Sequence, residues 1–391
     1  MLNKTYIKTI LLLFIDLLFS LFLIDNVKQL YYLELNINIA STGLLITAYT
    51  FSKFIFEIPT GFVSDKYGRK ISVIIGILVI ELSLVFLFFD KFILLFISSV
   101  LLGVGRTFIS GSFDSMIFEN ISTYGDKKIK IVQNINRFLW YGGYGIGIYL
   151  SGILYENYKG KIVVVLTILV QFLAVIILFI IEDKKQTSNE KISFISNIRK
   201  TFENKYLLGV IFSFVFFTVI DIPFDFYKLI YLKENGLSVS TAALIMGIIT
   251  FVSPLTGLLS ISFSKKTDIF NVRYGFIAPT ACLLLIGFFD NIIILVILMF
   301  LKAFLFSLIA PSRYIIQNRI IDDSYRATAL SISSFLMALC SSIFVSVFAF
   351  FSEIFTMKIS IMILSICAIM LIILNSLVFL KGLNKIVCEK T

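Results

Sequence analysis

The chain has 391 residues, of which 59% are hydrophobic and only 15% are charged, and its mean hydropathy is +0.99. A soluble chain would carry about 25% charged residues, so the composition excludes a soluble globular protein. The sequence has no histidine, which excludes histidine-dependent catalysis and histidine metal ligands, and its four cysteines show no CxxC spacing. We therefore expect neither an enzyme nor a protein with a cofactor or metal.

The positive charge of the chain follows its apolar pattern. The formal net charge is +10, and the basic residues lie mainly in short loops between long apolar runs. This distribution indicates membrane topology rather than a nucleic-acid ligand. We expect contact with a lipid bilayer and no contact with nucleic acid.

Twelve apolar runs are long enough to cross a bilayer core of roughly 30 Å, which needs about twenty helical residues. They lie near residues 7–29, 40–63, 71–89, 92–118, 134–155, 161–181, 206–232, 239–263, 272–289, 291–312, 327–351 and 358–380. The hydrophilic stretch between the sixth and seventh runs predicts a cytoplasmic linker at 182–205 with a short amphipathic helix. The sequence thus predicts an all-α membrane protein, with six-helix bundles at 1–181 and 206–391.

The orientation follows from the basic loops. If the N-terminus is inside, the Lys and Arg residues of the loops concentrate on the cytoplasmic side, as the positive-inside rule requires. An even number of spans then predicts that both termini are cytoplasmic. Enrichment in Ile, Lys, Asn and Phe favours an AT-rich bacterial genome, so we expect the protein in a bacterial cytoplasmic membrane. We also expect it to be a monomer.

Two acidic residues interrupt the first span. Asp16 is nine residues into it, roughly 14 Å from the inner surface at 1.5 Å per residue. A charge at that depth costs about 2.5–3.5 kcal/mol, and a carboxyl there can exchange a proton as its surroundings change. Asp25 is near the external mouth, three residues before Lys28. We expect Asp16 and Asp25 to couple protons or substrate, with a simple Asp25–Lys28 pair as the alternative.

The loop after the second span predicts a conformational gate. Its residues, with one acid at the inner end of the fourth span, are Gly61, Asp65, Gly68, Arg69, Lys70 and Glu119. Gly61 would let the second and eleventh helices approach closely, and Gly68 would permit a tight turn. Asp65 could accept hydrogen bonds from the start of a neighbouring helix, and Arg69 could pair with Glu119. Simple anchoring by positive charge is the alternative.

The fourth and seventh spans carry further charges. A guanidinium does not release its proton, so Arg106 could tune a neighbouring aspartate, unless it forms a static pair with Asp114. Asp221 and Asp225 are four residues apart on one helix face and could bind a cation or a proton. Lys228 is close enough in sequence to neutralise one of them.

The second half repeats the loop in weaker form. Gly257 precedes Lys265 and Lys266 by the spacing that separates Gly61 from Arg69 and Lys70, which indicates duplicated halves. The complete Gly61–Lys70 motif, placed after the second span, resembles the signature loop of the major facilitator superfamily. The resemblance implies two pseudo-symmetric six-helix bundles and a transporter that works by alternating access.

Two further segments resemble exporters within that superfamily. Gly143, Gly147 and Gly152 of the fifth span resemble the glycine-rich antiporter helix, although Ile148 replaces its proline, and these glycines suit close helix packing. Asp322–Thr328 resembles a loop of drug-exporter-like members. The implied function is proton-coupled efflux of small amphipathic compounds or drugs. The alternatives are a proton-coupled nutrient importer and a lipid or peptide exporter.

Overall fold

The computed structural model describes residues 4–121, 126–181, 199, 201–321 and 326–383, except the side chains of a few residues such as Asp65. Within these ranges the chain is helical and contains no strand. Its helices are α1 Lys4–Ser20, α2 Leu23–Glu34, α3 Ile39–Tyr67, α4 Arg69–Phe86, α5 Phe92–Ile121, α6 Asp126–Ile180, α7 Lys205–Glu234, α8 Val239–Gly257, α9 Lys265–Phe270, α10 Ile277–Phe288, α11 Ile292–Ile320, α12 Arg326–Ile354 and α13 Met357–Val378. A 3₁₀ turn, Leu258–Ser262, follows α8, and a π-helical turn, Asn271–Gly275, follows α9.

Ten helical segments of the described ranges are long and apolar enough to cross a membrane. One of them, Ile131–Ile180, is 50 residues long and contains the predicted fifth and sixth spans, separated by Lys159 with a non-helical φ of 68°. The predicted third span is the helix α4, which carries three charged residues. These two differences reconcile the ten segments with the twelve predicted spans, and the all-α membrane fold is confirmed.

The predicted first span is not one helix. The helix α1 ends at Ser20 and α2 begins at Leu23, so the chain breaks near the middle of the span. Two buried side chains of α6 bind the backbone groups freed by the break. Gln171 Nε2 donates to the Leu18 carbonyl at 3.2 Å, and the Ile24 N–H donates to Thr167 Oγ1 at 3.1 Å. Unsatisfied backbone groups are costly in a bilayer, and these bonds stabilise the discontinuity.

The chain divides into two compact units. Unit 1 comprises residues 1–37, 45–189 and 237–251, and unit 2 comprises residues 38–44, 190–236 and 252–391. The start of α3 thus packs with unit 2, and most of α8 packs with unit 1. The bundle boundaries at 181 and 206 stay a prediction, because the linker between them lies mostly outside the described residues.

The inner half of α7 contributes to the buried core of unit 2. Its side chains Leu207, Val210 and Ile211 are fully buried and pack with Ile316 and Ile320 of α11. Lipid is as apolar as these side chains, so their packing stabilises the fold through dispersion contacts more than through removal from water. This packing sets the rotation of α7 and α11 about their axes, and therefore the direction in which their charged residues lie.

Candidate functional site

A cluster of opposite charges lies beside the helix break in unit 1. Asp25 is in the first turn of α2, where the helix dipole favours an acid. Lys28 Nζ lies 2.8 Å from its Oδ1, and Arg106 Nη2 of α5 lies 3.0 Å from its Oδ2. The predicted Asp25–Lys28 pair is confirmed. The alternative pair of Arg106 with Asp114 is wrong, because Asp114 is two turns away on α5 and Arg106 reaches Asp25 on α2 instead.

Aromatic rings complete this cluster. The Arg106 guanidinium lies 4.2 Å from the centre of the Phe22 ring, at the helix break itself. The Tyr49 ring of α3 has Lys28 Nζ at 5.1 Å and Lys53 Nζ at 5.6 Å from its centre. One carboxylate therefore contacts two cations, and the ring faces provide further electrostatic stabilisation to the cations around it. Sequence reasoning left Lys53 and Tyr49 out of the site.

Asp16 has a different environment from Asp25. Asp16 is only 7% exposed and lies near the Asn136 side chain of α6. Asp114 of α5 is exposed and close enough to Asp16 for electrostatic repulsion. No Lys or Arg forms an ion pair with Asp16 among the described residues. The two acids on α1 and α5 thus form a second group, for which the described residues supply no ion-pair partner.

Each acid of the seventh span has its own lysine. Asp225 Oδ1 lies 2.8 Å from Lys228 Nζ, and Asp221 Oδ1 lies 2.5 Å from Lys302 Nζ of α11. The alternative that Lys228 neutralises one of the two acids is confirmed, and a role of this pair of acids in coupling stays a prediction. Lys302 neutralises Asp221 from a neighbouring helix, and this contact joins residues 81 positions apart that no local pattern connects.

A repeat at a spacing of 200 residues connects the two charge clusters, and sequence reasoning missed it. Asp25, Lys28, Tyr31 and Glu34 recur as Asp225, Lys228, Tyr231 and Glu234. The two copies share hydrogen-bond contacts as well as residue types. Tyr31 and Tyr231 donate hydrogen bonds of 2.8 Å to the carbonyls of Leu87 and Ile286, respectively. The pattern D-x-x-K-x-x-Y-x-x-E, compared between halves, would have identified both Asp–Lys pairs.

The loop between α3 and α4 has much of the predicted geometry. Gly68 has a φ of 102°, which only glycine adopts easily, and it caps α4. Arg69 and Glu119 form the predicted ion pair. Lys70 Nζ donates to the carbonyl of Ile181 at 2.6 Å, just beyond the end of α6. These contacts tie α4 to α5 and α6 within unit 1.

Two other residues of the predicted gate give a different result. Gly61 is exposed on α3, and a Cβ built there would meet no described atom within 4 Å. The expected close approach of the second and eleventh helices at this glycine stays a prediction. The side chain of Asp65 and the exporter-like segment 322–325 lie outside the described residues.

The glycines of the fifth span pack closely, as predicted. A Cβ at Gly143 would lie 2.1 Å from Ser20 Oγ, and one at Gly152 would lie 2.3 Å from Ala243 Cβ of α8. Gly147 lies against the backbone of Ser20 and Leu21, where a Cβ would have 3.4 Å to the nearest atom. The glycine face of α6 therefore adjoins the helix break.

Matching carboxylates cap α3 and α8. In unit 2, Glu353 Oε2 accepts from the N–H groups of Ile39 and Ala40 at 3.0 and 3.4 Å. In unit 1, Glu156 Oε2 accepts from the N–H group of Ser240 at 2.8 Å. An acid at a helix N-terminus satisfies free donors and favours the helix dipole. These contacts help attach the start of each helix to the unit in which it lies.

Known proteins resemble this chain along most of its length. A family model described as Major Facilitator Superfamily matches residues 10–345. The uncharacterized MFS-type transporter YxaM of Bacillus subtilis (strain 168) is 24% identical over 247 residues, which are 61% of this chain and 62% of that protein. An uncharacterized transporter of Buchnera aphidicola subsp. Baizongia pistaciae (strain Bp) is 40% identical over 77 residues, or 19% of this chain and 20% of that protein. The aligned part spans less than two thirds of either relative.

Several solved structures share the fold. The nucleoside transporter NupG has a TM-score of 0.79 at 14% identity and covers 96% of this chain and 98% of its own. A bacterial homologue of the human lysosomal transporter Spinster, in an inward-facing and unoccupied conformation, has a TM-score of 0.79 at 14% identity and covers 97% and 98%. A D-xylose–proton symporter has a TM-score of 0.71 at 14% identity and covers 96% and 97%. At these identities the likeness shows the fold alone.

Proposed function

Because the chain belongs to the major facilitator superfamily, we propose that it is a proton-coupled transporter that exports small amphipathic compounds by alternating access. The proposal places it in a bacterial cytoplasmic membrane as a monomer with both termini in the cytoplasm. Proton entry from outside would release the substrate outward and drive the return of the empty carrier.

The observation that carries the proposal is the environment of Asp16. Asp16 is 7% exposed, lies near the Asn136 side chain and has no ion-pair partner among the described residues. A carboxyl that no cation neutralises can bind a proton, whereas Asp25 and Asp221 already have basic partners. Asp16 is therefore the residue to which we assign the coupled proton, with Asp114 as its electrostatic neighbour.

Two charge clusters, one in each unit, support a role in substrate handling. The Asp25–Arg106 cluster adjoins a broken helix in unit 1, and broken helices occur at the central sites of many transporters. The Asp221–Lys302 and Asp225–Lys228 pairs are its counterparts in unit 2. A charged substrate group could replace one residue of such an ion pair. Substrate binding would then change the charge balance of the site.

Import by proton symport is the second candidate. One solved structure with this fold is titled a D-xylose–proton symporter, and the same unpaired Asp16 would serve symport equally well. The exporter-like glycine face of α6 favours export, but its proline is replaced by Ile148. A lipid or peptide exporter on this scaffold is a third candidate, and a reconstituted lipid-reporter assay distinguishes it.

Inverted membrane vesicles with an acidic interior test both coupling and direction. We expect wild-type vesicles to accumulate members of a radiolabelled panel that includes benzoate and ethidium, and to lose that accumulation when the gradient is collapsed. Extrusion of a compound under the same gradient would indicate symport. Transport that does not depend on the imposed pH gradient would contradict proton coupling.

Two variants identify the residue. Asp16→Asn should abolish the response to the gradient and preserve exchange of labelled for unlabelled compound, because exchange requires no net proton movement. Asp90→Asn removes the same charge at an exposed position of the α4–α5 loop and should behave as wild type. Equal behaviour of the two variants would contradict the assignment of the proton to Asp16.

A further inference from the structure

Arg313 of α11 is a cation without an acidic partner. In the membrane-spanning helices of unit 2, Lys228 and Lys302 each contact an aspartate. Arg313, by contrast, has no carboxylate within 4.0 Å in the part of the chain that the structure describes. A charge inside a membrane is costly, and charges there are usually paired. The missing partner is therefore the feature that needs an explanation.

The contacts of Arg313 use only part of its guanidinium. Nη2 donates to Ser333 Oγ of α12 at 2.7 Å, and Cζ lies 4.2 Å from the centre of the Phe214 ring. Nε is buried without an acceptor, and Nη1 has no hydrogen bond to any described residue. A guanidinium has five N–H donors, and the planar end formed by its two Nη groups matches a carboxylate. The ring and one hydroxyl orient this end but leave its charge unbalanced.

Phenylalanine rings adjoin the guanidinium. Phe214 stacks on Phe306 at 6.2 Å between centroids, and Phe217 stacks on Phe306 at 5.4 Å. Phe306 precedes Arg313 by two turns on the same face of α11. Phe217 is fully buried, whereas Phe214 and Phe306 are half-buried and keep part of their surface accessible. An apolar surface thus lies beside an unbalanced positive charge.

We propose that Arg313 binds the carboxylate of a soluble aromatic acid whose apolar body lies against Phe214 and Phe306. The carboxylate accepts hydrogen bonds from the guanidinium and supplies the counter-charge that the protein lacks there. Ser333 holds the guanidinium in place as a positioning residue. This inference rests on the proposed transport function, because the bound acid is the transported compound, and it narrows the amphipathic substrates to anions.

The charge pattern of unit 2 favours an anion over a cation. Asp221 and Asp225 are each neutralised by a lysine, so neither offers a free carboxylate to a cationic compound. Arg313 adds one uncompensated positive charge to this balanced set. A neutral compound would leave that charge as it is, whereas an organic anion removes the cost of an unpaired cation.

Binding of radiolabelled benzoate to the purified full-length protein tests the proposal without a transport step. We expect benzoate to bind, and its uncharged isostere benzamide to compete at least about tenfold more weakly, since hydrogen bonds to a charged group contribute roughly 1.5–3 kcal/mol. Arg313→Gln should weaken benzoate binding by about tenfold or more on the same basis. Arg313→Lys should recover part of it, because it keeps the charge and loses the planar fork.

Arg273 provides the matched control. It also contacts a serine and a ring, since its Nε donates to Ser376 Oγ at 3.3 Å and its Cζ lies 5.2 Å from the Tyr274 ring centre. Arg273→Gln should leave benzoate binding unchanged, because Arg273 Nη2 also donates to the Tyr274 hydroxyl at 3.3 Å and the guanidinium is thus occupied by two described hydrogen bonds, where that of Arg313 has one. If Arg313→Gln cannot be purified in folded form, Arg313→Lys and Ser333→Ala provide the same comparison, and both should bind benzoate more weakly.

The results separate this inference from the transport proposal. Equal competition by benzoate and benzamide, or unchanged binding in the Arg313 variants, would overturn the inference whatever the vesicles do. Binding of labelled phosphatidylglycerol that depends on Arg313, without any benzoate binding, would also overturn it, because the ligand would then be an acidic lipid. Binding that depends on Arg313, combined with transport that ignores the pH gradient, would preserve the anion site and reject only the proton coupling.

Discussion

Asp25 connects the charges of unit 1 because one carboxylate accepts from two different helices. Lys28 belongs to the same helix and Arg106 belongs to α5, and both side chains are mostly shielded from solvent. Loss of the carboxylate would leave two cations close together in a poorly solvated place. Breaking such an interaction costs more than forming it gains.

Asp25→Asn should therefore destabilise the protein. We expect the free energy of unfolding to fall by about 1.5–3 kcal/mol, the range for hydrogen bonds to charged groups, with a matching drop in the detergent Tm. Adding Lys28→Met to Asp25→Asn should recover part of the loss, because one uncompensated cation is removed. An unchanged Tm in the single variant would show that the cluster contributes nothing to stability.

The sequence shows which charged residues lie within the membrane spans, but it does not predict most of their ion-pair partners. Asp25 and Lys28 are three residues apart on one helix, so local spacing predicts their contact. Arg106 had one local candidate, Asp114, and the partner that it has is 81 residues away in sequence. Asp221 likewise reaches Lys302 across the fold. Long-range pairs depend on how helices rotate against each other, which hydrophobic periodicity in a membrane helix does not determine.

At the scale of elements, the close contact between α1 and α6 depends on a missing side chain. Gly143 lies against Ser20 at the end of α1, where an added Cβ would come within 2.1 Å of a hydroxyl and 2.6 Å of Leu17 Cδ1. Its neighbour Gly142 has more room, since its Cβ would meet the Phe251 ring at 3.7 Å. The two glycines offer the same helical backbone in different surroundings.

Gly143→Ala should consequently lower the Tm in detergent, whereas Gly142→Ala should leave it unchanged or raise it slightly. Alanine stabilises a helix interior by about 0.5–1 kcal/mol relative to glycine, so any loss in Gly143→Ala reflects the contact with α1. Overpacking of a close contact costs about 1–3 kcal/mol. Equal Tm changes in the two variants would mean that α1 moves aside freely.

Helix positions follow from apolar length, but the break between α1 and α2 does not. Ser20, Leu21 and Phe22 include neither glycine nor proline, the usual signals of a helix end. The break depends instead on Thr167 and Gln171 of α6, which bind the freed backbone groups from another part of the chain. Pro223 shows the converse, because α7 continues through it. Tertiary hydrogen bonds thus stabilise a break that no local signal indicates, and a local signal alone does not end α7.

For the whole molecule, duplication explains why the same chemistry occurs in both units. Each unit has an Asp–Lys pair three residues apart and a tyrosine bonded to a distant carbonyl, at positions separated by 200 residues. The copies have diverged at the residues that matter for the two proposals. Asp16 has Phe216 as its counterpart at this spacing, and Arg313 has Phe113. At this spacing, neither residue therefore has a charged counterpart in the other unit.

The Arg69–Glu119 pair relates this architecture to the transport cycle. The pair joins the start of α4 to the end of α5 within unit 1, beside the Gly68 turn. If it acts as a gate, transport depends on the pair itself. If it only anchors the protein by positive charge, any basic residue of the loop should matter equally. Lys66 supplies the comparison, because it has the same charge and its ammonium lies 5.1 Å from the Tyr67 ring centre.

Arg69→Glu should stop transport in vesicles by placing two acids together, and the charge swap Arg69→Glu with Glu119→Arg should restore part of the rate. Lys66→Ala should transport nearly as well as wild type. The measurement is the initial rate of substrate accumulation, normalised to the amount of folded protein in the membrane. A swap variant as inactive as Arg69→Glu, together with an equally inactive Lys66→Ala, would favour anchoring, because only the number of positive charges would then matter.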